Sequence, residues 1–333
     1  MKSKIHLLAI GFLLVSIVSF GLTPVCATEP IAPNIYEVKA GDTLPKLAVT
    51  FDTTIEELKV SNGLQSDSLF VGQKLWVPIV YEVVAGDTLK NLAITHNSTP
   101  DIIKSTNGLE SEQLYTGQLL KIVPKKMQMQ GQHILMTREE FKNWLFHNQF
   151  NRQIQIIQQH HTWLPSYDQF KGNNHFQMLT SMENFHKKEK GWQNIAQNIT
   201  TFPDGTVAVS RPFNVAPEGS IGEQANSVGL AIEHIGNFDV GHDVMTAEQK
   251  ETIVYITALL CLKFGLSPTI DHVTYHHWWH LRSGERVLDN SPEYNVKSCP
   301  GTGFFGGNTT QHAKEHFYPL ISKKMEELAE SNN

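Results

Sequence analysis

The sequence lacks a positive net charge, a low-complexity tract and, after its first 20 residues, any long apolar run. The formal net charge of −6 leaves no basic surface of the kind that nucleic acids or anionic membranes attract. No later segment reaches the roughly 18 consecutive apolar residues of a membrane-spanning helix. With 40% hydrophobic and 18% charged residues, the 333-residue chain has the composition of a globular protein of two or three domains.

The first residues of the chain have the pattern of an export signal. Lys2 and Lys4 carry the positive charge, an apolar run follows from 5 to 20, and Val25-Cys26-Ala27 offers a small-residue cleavage site. We therefore assign residues 1–27 to a signal peptide and expect a secreted protein with no stable membrane insertion after cleavage. Acylation of Cys26 and an uncleaved anchor are the two alternatives.

Cysteine is scarce, because only Cys261 and Cys299 remain once Cys26 is removed. Such a pair can form a disulfide in an oxidising compartment. Cys261, however, falls on the apolar stripe of a helical pattern, whereas Cys299 lies in a Lys-Ser-Cys-Pro-Gly loop. These different settings favour two free thiols over a disulfide.

A repeat occupies residues 34–79 and 80–124. Four segments of the first copy recur 45 residues later in the second: Tyr36, Gly41-Asp42-Thr43-Leu44, Asn62-Gly63 and Gly72-Gln73. A fixed period of this length indicates one supersecondary unit in each copy. Alternating residues predict a strand at each end of the unit, and two short helices fit between the strands, capped by Thr43 or Asp42 and by Thr54. Each copy is therefore predicted to form a βααβ module.

This module resembles the LysM family over the whole length of both copies, through Tyr-x-Val-x-x-Gly-Asp-Thr-Leu followed by Asn-Gly-Leu. LysM modules bind glycans that contain N-acetylglucosamine, so the resemblance implies anchoring to bacterial cell-wall peptidoglycan. It also implies a ligand groove between the Gly-Asp-Thr-Leu loop and the segment after Asn-Gly-Leu. As turn and cap residues, the glycan-binding candidates are equally expected simply to fold the module. They are Gly41, Asp42, Thr43 and Asn62 in the first copy, and Gly86, Asp87, Thr88 and Asn107 in the second.

The rest of the chain mixes helical and strand patterns. A polar segment at 125–133 interrupts the period and is interpreted as a linker, and residues 134–325 as the catalytic domain. Capping patterns at Thr137 and Thr246 predict two helices, and Asp204-Gly205 predicts a hairpin. The predicted fold is α/β, with a mixed central sheet flanked by helices and preceded by the two small βααβ modules.

Histidine is abundant, with 16 residues that cluster late in the chain. The pair His160-His161 follows one predicted strand, the pair His276-His277 ends another, and Cys299 lies in a loop further on. Zinc accepts imidazole nitrogen and thiolate sulfur, and a catalytic zinc site uses three protein ligands. Because strand ends converge in space, these residues suggest a zinc site, although isolated histidines are more often structural.

Residues 150–320 resemble the type 2 zinc N-acetylmuramoyl-L-alanine amidases, the group that includes phage lysozyme-like amidases and peptidoglycan recognition proteins. The matching elements occur in order across the domain: His160-His161-Thr162, Gly191-Trp192, Asp204-Gly205-Thr206, 225–229, 236–239, His276 and 297–301. The resemblance implies a peptidoglycan hydrolase, with zinc as cofactor, that cleaves the amide bond between N-acetylmuramic acid and L-alanine.

Carried over by position, the resemblance assigns the metal ligands to His160, His276 and Cys299. A slip of one residue would place His277 rather than His276 at the metal. Lys297 matches the lysine that faces the metal-bound carbonyl oxygen of the substrate. Glu233 stands where some members of the group carry a catalytic glutamate.

Two features depart from the family pattern. The step from His276 to Cys299 is 23 residues, longer than usual, and we interpret 278–296 as a loop inserted at the rim of the site. Many members carry a catalytic Tyr-His pair before the hairpin, where this sequence has Gln197-Asn198. Neither amide can act as a general base, so the proton-handling role passes to Glu233. A strand carboxylate paired with a cation is the alternative reading of Glu233.

The sequence thus predicts a secreted, monomeric, cell-wall-associated zinc amidase whose partner is peptidoglycan and not nucleic acid. Two alternatives stay open. One is a non-catalytic peptidoglycan-binding protein on the same fold, and the other is a zinc endopeptidase that cuts within the peptides of the wall.

Overall fold

The computed structural model describes residues 34–290 and 296–330. The predicted signal peptide, including Cys26, lies outside the described residues. Within the described ranges, no helix is both long enough and apolar enough to cross a membrane.

The first repeat folds as the predicted βααβ module. Thr43, not Asp42, caps the first helix, and Thr54 forms a capping box with Glu57 at the start of the second. Gly63 ends the second helix in the left-handed conformation, at a φ of 58°. The elements are β1 (Ile35–Glu37), α1 (Leu44–Thr50), α2 (Ile55–Asn62) and β2 (Lys74–Trp76), and the two strands pair antiparallel.

The second repeat has the same architecture. Thr88 and Thr99 cap its helices, and Pro100 takes the first helical position of the second one, where a missing backbone N–H costs nothing. The elements are β3 (Ile79–Glu82), α3 (Leu89–Thr95), α4 (Pro100–Asn107) and β4 (Leu119–Ile122). Each repeat buries a small apolar core of its own between its helices and its strand pair.

A seven-stranded mixed sheet forms the centre of the remaining chain. Its spatial order is β11-β7-β10-β8-β9-β6-β5. β7 lies between β11 and β10 and is parallel to both, β8 is parallel to β10, and the strands beyond β8 are antiparallel. The strands are β5 (Gln128–Gln130), β6 (His133–Met136), β7 (Ile156–His161), β8 (Ile199–Thr201), β9 (Val207–Val209), β10 (Gly229–His234) and β11 (Val273–Tyr275).

The linker prediction for 125–133 is wrong in its second half. Residues 128–130 form β5, which pairs antiparallel with β6 at the edge of the sheet. Met127 and Met129 pack against the main core, while the glutamines of this edge strand face outward, so the polar composition concealed a strand. The segment is also held by two backbone hydrogen bonds, from Lys125 N to Asn97 O at 2.7 Å and from Met127 N to Val60 O at 3.0 Å.

The helices around the sheet begin and end largely where the sequence predicted. α5 starts with a capping box at Thr137, and α8 runs from its cap at Thr246 to Gly265, which has a φ of 67°. Cys261 is buried in α8, and both it and Cys299 are free thiols, as the sequence favoured. The helices are α5 (Arg138–His147), α6 (His175–Lys188), α7 (Glu223–Ser227), α8 (Ala247–Phe264), α9 (Thr310–His312) and α10 (Tyr318–Glu330), with a π-helical turn at Ala313–Phe317.

The two faces of the sheet are covered by different clusters. Ile157 and Ile232 point into the main core, which includes residues of α8 and α10. On the opposite face, a smaller cluster joins Ile235 to the apolar side of α6. Because strand side chains alternate between faces, His160 and Glu233 lie on this second face, the face that bears α6.

Candidate metal centre

Three potential metal ligands converge at the carboxyl ends of two parallel strands. β11 and β7 pair with Tyr275 opposite Gln159, so His276, one residue on, is brought beside His160. The two Nδ1 atoms are 3.1 Å apart, and the Cys299 Sγ lies 3.6 Å from the His160 Nδ1. All three side chains are buried.

The donor atoms have the spacing of a tetrahedral zinc site. Zn–N bonds near 2.05 Å and a Zn–S bond near 2.3 Å give tetrahedral edges of about 3.4 Å between nitrogens and about 3.6 Å between nitrogen and sulfur. The observed distances are 3.1 Å and 3.6 Å. Among the described residues, His160, His276 and Cys299 are the single group of three or more His, Cys, Asp or Glu whose donor atoms cluster in this way, all within 4.8 Å. The donor set therefore fits zinc.

Burial keeps both imidazoles neutral, which is the form that binds a metal. It lowers the pKa of His160 well below its usual value and that of His276 to about 3, and the nearby Lys297 ammonium acts in the same direction. Burial also raises the pKa of the Cys299 thiol well above its usual value. A bound dication would reverse that shift and hold the thiolate. The backbone N–H of His161 already points at the sulfur, 3.4 Å away.

A buried amide network selects the tautomer of His160. The Asn226 Oδ1 accepts the backbone N–H of Ile221, at 3.5 Å, and the Gln158 Nε2 donates to the same oxygen at 3.1 Å. The Gln158 Oε1 must then face His160, and it lies 3.3 Å from the His160 Nε2. An N–H at Nε2 leaves the Nδ1 lone pair free for a metal.

The room for this network comes from a glycine. A Cβ added at Gly229 would lie 2.3 Å from the Gln158 Nε2. Sequence reasoning missed Gln158. The available signal was strand alternation, because the residue two before a ligand in a strand shares the ligand's face.

Glu233 and Lys297 lie beside the three ligands. Glu233 is the direct neighbour of His160 across the β10–β7 pair, and the two side chains therefore share one face. Burial raises the pKa of the Glu233 carboxyl to about 8, against a smaller opposite effect of the Lys297 ammonium. Lys297 is solvent-exposed, and its charge is close enough to affect His160, His276 and Cys299 as well.

The second histidine of each pair points away from the three ligands. The Nδ1 of His161 accepts the backbone N–H of Phe238 at 3.1 Å, and burial lowers the pKa of His161 to about 4. The Nδ1 of His277 lies 2.6 Å from the carbonyl oxygen of Lys297. It is therefore His276, and not His277, that the structure brings to His160.

Gln197, which stands at the usual tyrosine position, is buried on the same face as Glu233. Its Nε2 donates to the Thr200 hydroxyl at 3.0 Å, and Thr200 is the strand neighbour of Glu233. Its Oε1 is buried and has no hydrogen-bond partner among the described residues. Gln197 therefore contacts Thr200, the strand neighbour of Glu233, and its amide nitrogen is already hydrogen-bonded.

The predicted insertion at 278–296 is only partly a rim loop. Trp278 is fully buried and stacks on Tyr275, with ring centroids 4.5 Å apart, so the insertion begins inside the core. Further on, residues 279–284 face residues 220–223 across a cavity of about 270 Å³ that His276 also lines. Residues 291–295 of the insertion lie outside the described part.

The predicted glycan-binding residues of both repeats mostly serve their own module. Asp42 accepts the Tyr36 hydroxyl at 2.8 Å, and Asn62 bonds both backbone groups of Trp76 across the module. The equivalent bonds recur in the second repeat at Asp87 and Asn107. These contacts explain the conserved spacing of the two copies through folding, and a contact with glycan stays a prediction.

Family profiles match the two repeats and most of the region that follows them. The LysM domain profile matches residues 36–78 and again 81–123, and the N-acetylmuramoyl-L-alanine amidase profile matches residues 150–302, which include all three candidate metal ligands. The chain carries two LysM domains and an N-acetylmuramoyl-L-alanine amidase domain. Both resemblances and the predicted fold class are confirmed. LysM1 and LysM2 denote the two repeats below, and the amidase domain denotes the unit built on the seven-stranded sheet.

The curated relatives match short stretches only. The Probable N-acetylmuramidase of Lactococcus lactis is 46% identical over 55 residues, 16% of this chain and 12% of that protein. The Probable endopeptidase p60 of Listeria seeligeri is 57% identical over 42 residues, 13% of this chain and 8% of that protein. The chain thus spans about a tenth of the length of these relatives.

Solved structures with a similar arrangement are distant. Drosophila PGRP-LB is 19% identical, with 47% of this chain and 81% of that chain covered and a TM-score of 0.36. The N-acetylmuramoyl-L-alanine amidase LysC from Clostridium intestinale is 21% identical, with 46% and 80% covered and a TM-score of 0.33.

Proposed function

We propose that this protein is a secreted, zinc-dependent N-acetylmuramoyl-L-alanine amidase that acts on cell-wall peptidoglycan as a monomer. The observation that carries the proposal is the convergence of His160, His276 and Cys299 beside Glu233, inside a domain of the amidase family. The LysM domains anchor the enzyme to wall glycan and so raise its effective concentration on an insoluble polymer.

His160, His276 and Cys299 would hold the zinc. When bound, zinc polarises the amide carbonyl and lowers the pKa of water toward neutrality. A bound dication would also lower the raised pKa of Glu233, so that its carboxylate could take a proton from the attacking water and pass it to the leaving amine of L-alanine. Lys297 places its ammonium where negative charge develops on the carbonyl oxygen. Gln158 keeps the His160 Nε2 protonated, so that Nδ1 remains the ligand atom.

Mass spectrometry of digested peptidoglycan tests the proposed cleavage. The purified mature protein, loaded with zinc, is expected to release intact stem peptides and leave N-acetylmuramic acid with a free lactyl carboxylate. Shortened peptides would instead identify an endopeptidase. Binding without any product would identify a receptor on the same fold.

The Gln158 network predicts a measurable effect on metal affinity. Replacing Gln158 with leucine removes the acceptor that fixes the His160 tautomer, so zinc affinity should fall by about 10- to 100-fold. Competition with a chromophoric chelator measures this affinity directly, without reference to turnover.

Glutamate at the same position provides the matched control. Gln158→Glu retains an oxygen facing the His160 Nε2, and its second oxygen, when protonated, can still donate to the Asn226 Oδ1, so this variant should keep most of the parent affinity. Parent-like zinc affinity in Gln158→Leu would show that the network has no part in positioning His160.

A further inference from the structure

The two LysM domains are exposed to different extents at one equivalent segment. In LysM2, residues 106–110 span the C-terminal end of α4, and Thr106, Gly108 and Glu110 are exposed. The equivalent residues of LysM1 are 61–65, where positions 61 to 64 are all buried and Gln65 is partly buried. Because the two modules share one fold, this difference must come from what surrounds them.

The amidase domain covers the LysM1 segment through hydrogen bonds to its backbone and side chains. The Trp144 Nε1 donates to the carbonyl oxygen of Gly63 at 3.1 Å in a buried position. The Gln65 Nε2 donates at 2.8 Å to two backbone carbonyl oxygens, those of Gln132 and Ser210. Near one end of the same surface, the Gln73 Nε2 donates to the Asn148 Oδ1 at 3.0 Å.

Steric contact at Gly63 shows how closely the two domains approach. A Cβ added at Gly63 would lie 2.7 Å from the Met127 sulfur and 3.0 Å from Trp144. At the equivalent Gly108 of LysM2, an added Cβ would meet nothing within 4 Å. Both glycines end a helix in the left-handed conformation. Only in LysM1 does docking also require that the residue has no side chain.

The sequences of the two repeats also differ at the residues through which LysM1 contacts the amidase domain. Trp76 of LysM1 packs on His147 of the amidase domain, with ring centroids 5.4 Å apart. The LysM2 residue at this position is Lys121, whose ammonium instead pairs with Asp52 of LysM1 at 2.8 Å. Gln65, which bonds the amidase domain, is replaced in LysM2 by the exposed Glu110. LysM1 therefore carries docking residues that LysM2 lacks.

We infer that LysM1 is a docking module for the amidase domain and that wall glycan is bound through the free 106–110 segment of LysM2. This inference rests on the proposed function, since it assumes that the glycan contacts the turn that ends α2 or α4, at one edge of the groove that the LysM resemblance implies. In LysM1 that position is occupied by Trp144, Met127 and Gln132 of the same chain. A glycan could contact this turn of LysM1 only after the two domains separate.

Titration calorimetry on the full mature chain with a tetramer of N-acetylglucosamine tests the inference. One binding site per chain is expected. Hydrogen exchange should show that the glycan protects the backbone amides of 106–110 and leaves those of 61–65 unchanged. Two equivalent sites, or protection at 61–65, would overturn the assignment while leaving wall anchoring intact. Absence of binding would overturn glycan anchoring itself, and the inference with it.

A matched pair of substitutions gives an independent readout. Asparagine tolerates the left-handed conformation, so Gly108→Asn should fold and place a side chain on the free segment, lowering glycan affinity by about tenfold, or 1.4 kcal/mol. Gly63→Asn should loosen docking, seen as faster hydrogen exchange of the backbone amides of 61–65, and keep the parent glycan affinity. Loss of affinity in Gly63→Asn with none in Gly108→Asn would assign the site to LysM1 instead.

Discussion

Replacing Cys299 with alanine is expected to abolish zinc binding and peptidoglycan hydrolysis together. The Cys299 Sγ lies 3.6 Å from the His160 Nδ1 and is the only sulfur of the cluster. Without it, two neutral imidazoles remain, and no protein ligand offsets the charge of the dication. Metal content by mass spectrometry and the clearing of a cell-wall suspension measure the two losses on the same sample.

Cys261 supplies the matched control for this experiment. It is also a buried free thiol, but it lies within α8 on the opposite side of the sheet from the cluster. Cys261→Ala should keep one zinc per chain and the parent rate, at a cost of about 1 kcal/mol in the free energy of unfolding. If Cys299→Ala retained a full equivalent of zinc, the proposed ligand set would have to be abandoned.

The Glu233→Gln variant should lose turnover while keeping its metal. Glutamine has nearly the shape of glutamate but cannot accept the proton of the attacking water, so the rate should fall by about 10²- to 10⁴-fold. Glu233 is the strand neighbour of His160 and is not itself in the ligand cluster, so zinc content should be unchanged. Single-turnover digestion of a defined muropeptide, together with zinc content, separates the two effects.

An exposed glutamate controls for the loss of charge alone. Glu189→Gln, at the C-terminal end of α6, removes the same charge from the surface and should keep the parent rate. Parent-like turnover in Glu233→Gln would transfer the proton-handling role to another group and leave Glu233 a structural carboxylate. Loss of zinc in that variant would show a role in metal binding instead.

Sequence patterns were sufficient wherever local structure decides the outcome. The 45-residue period, the Thr43 and Thr54 caps and the Asp204-Gly205 hairpin depend on residues only a few positions apart. Strand β5 was missed because an edge strand exposes one face, and its glutamines resemble a linker in composition. Its pairing with β6 depends on contacts that composition does not report.

The candidate site was predictable in its membership but not in its geometry. The family pattern pointed to His160, His276 and Cys299, while the choice between His276 and His277 needed the register of β11 against β7. The hydrogen bond between Gln158 and Asn226 joins residues 68 positions apart in sequence, and the one between Trp144 and Gly63 joins residues 81 positions apart. Side-chain contacts over such separations leave no periodic signal in a single sequence.

The ordered segment at 125–130 restricts how far the amidase domain can move from the LysM domains. A flexible linker of nine residues would have a root-mean-square end-to-end distance of about 15–18 Å, and the active site could reach any bond within that distance. Here the backbone amides of Lys125 and Met127 are hydrogen-bonded to the two LysM domains, and the next residues belong to the sheet. The segment therefore has little freedom to extend or bend. Under the proposed function, we expect hydrolysis at a fixed distance from the glycan strand that the LysM domains bind.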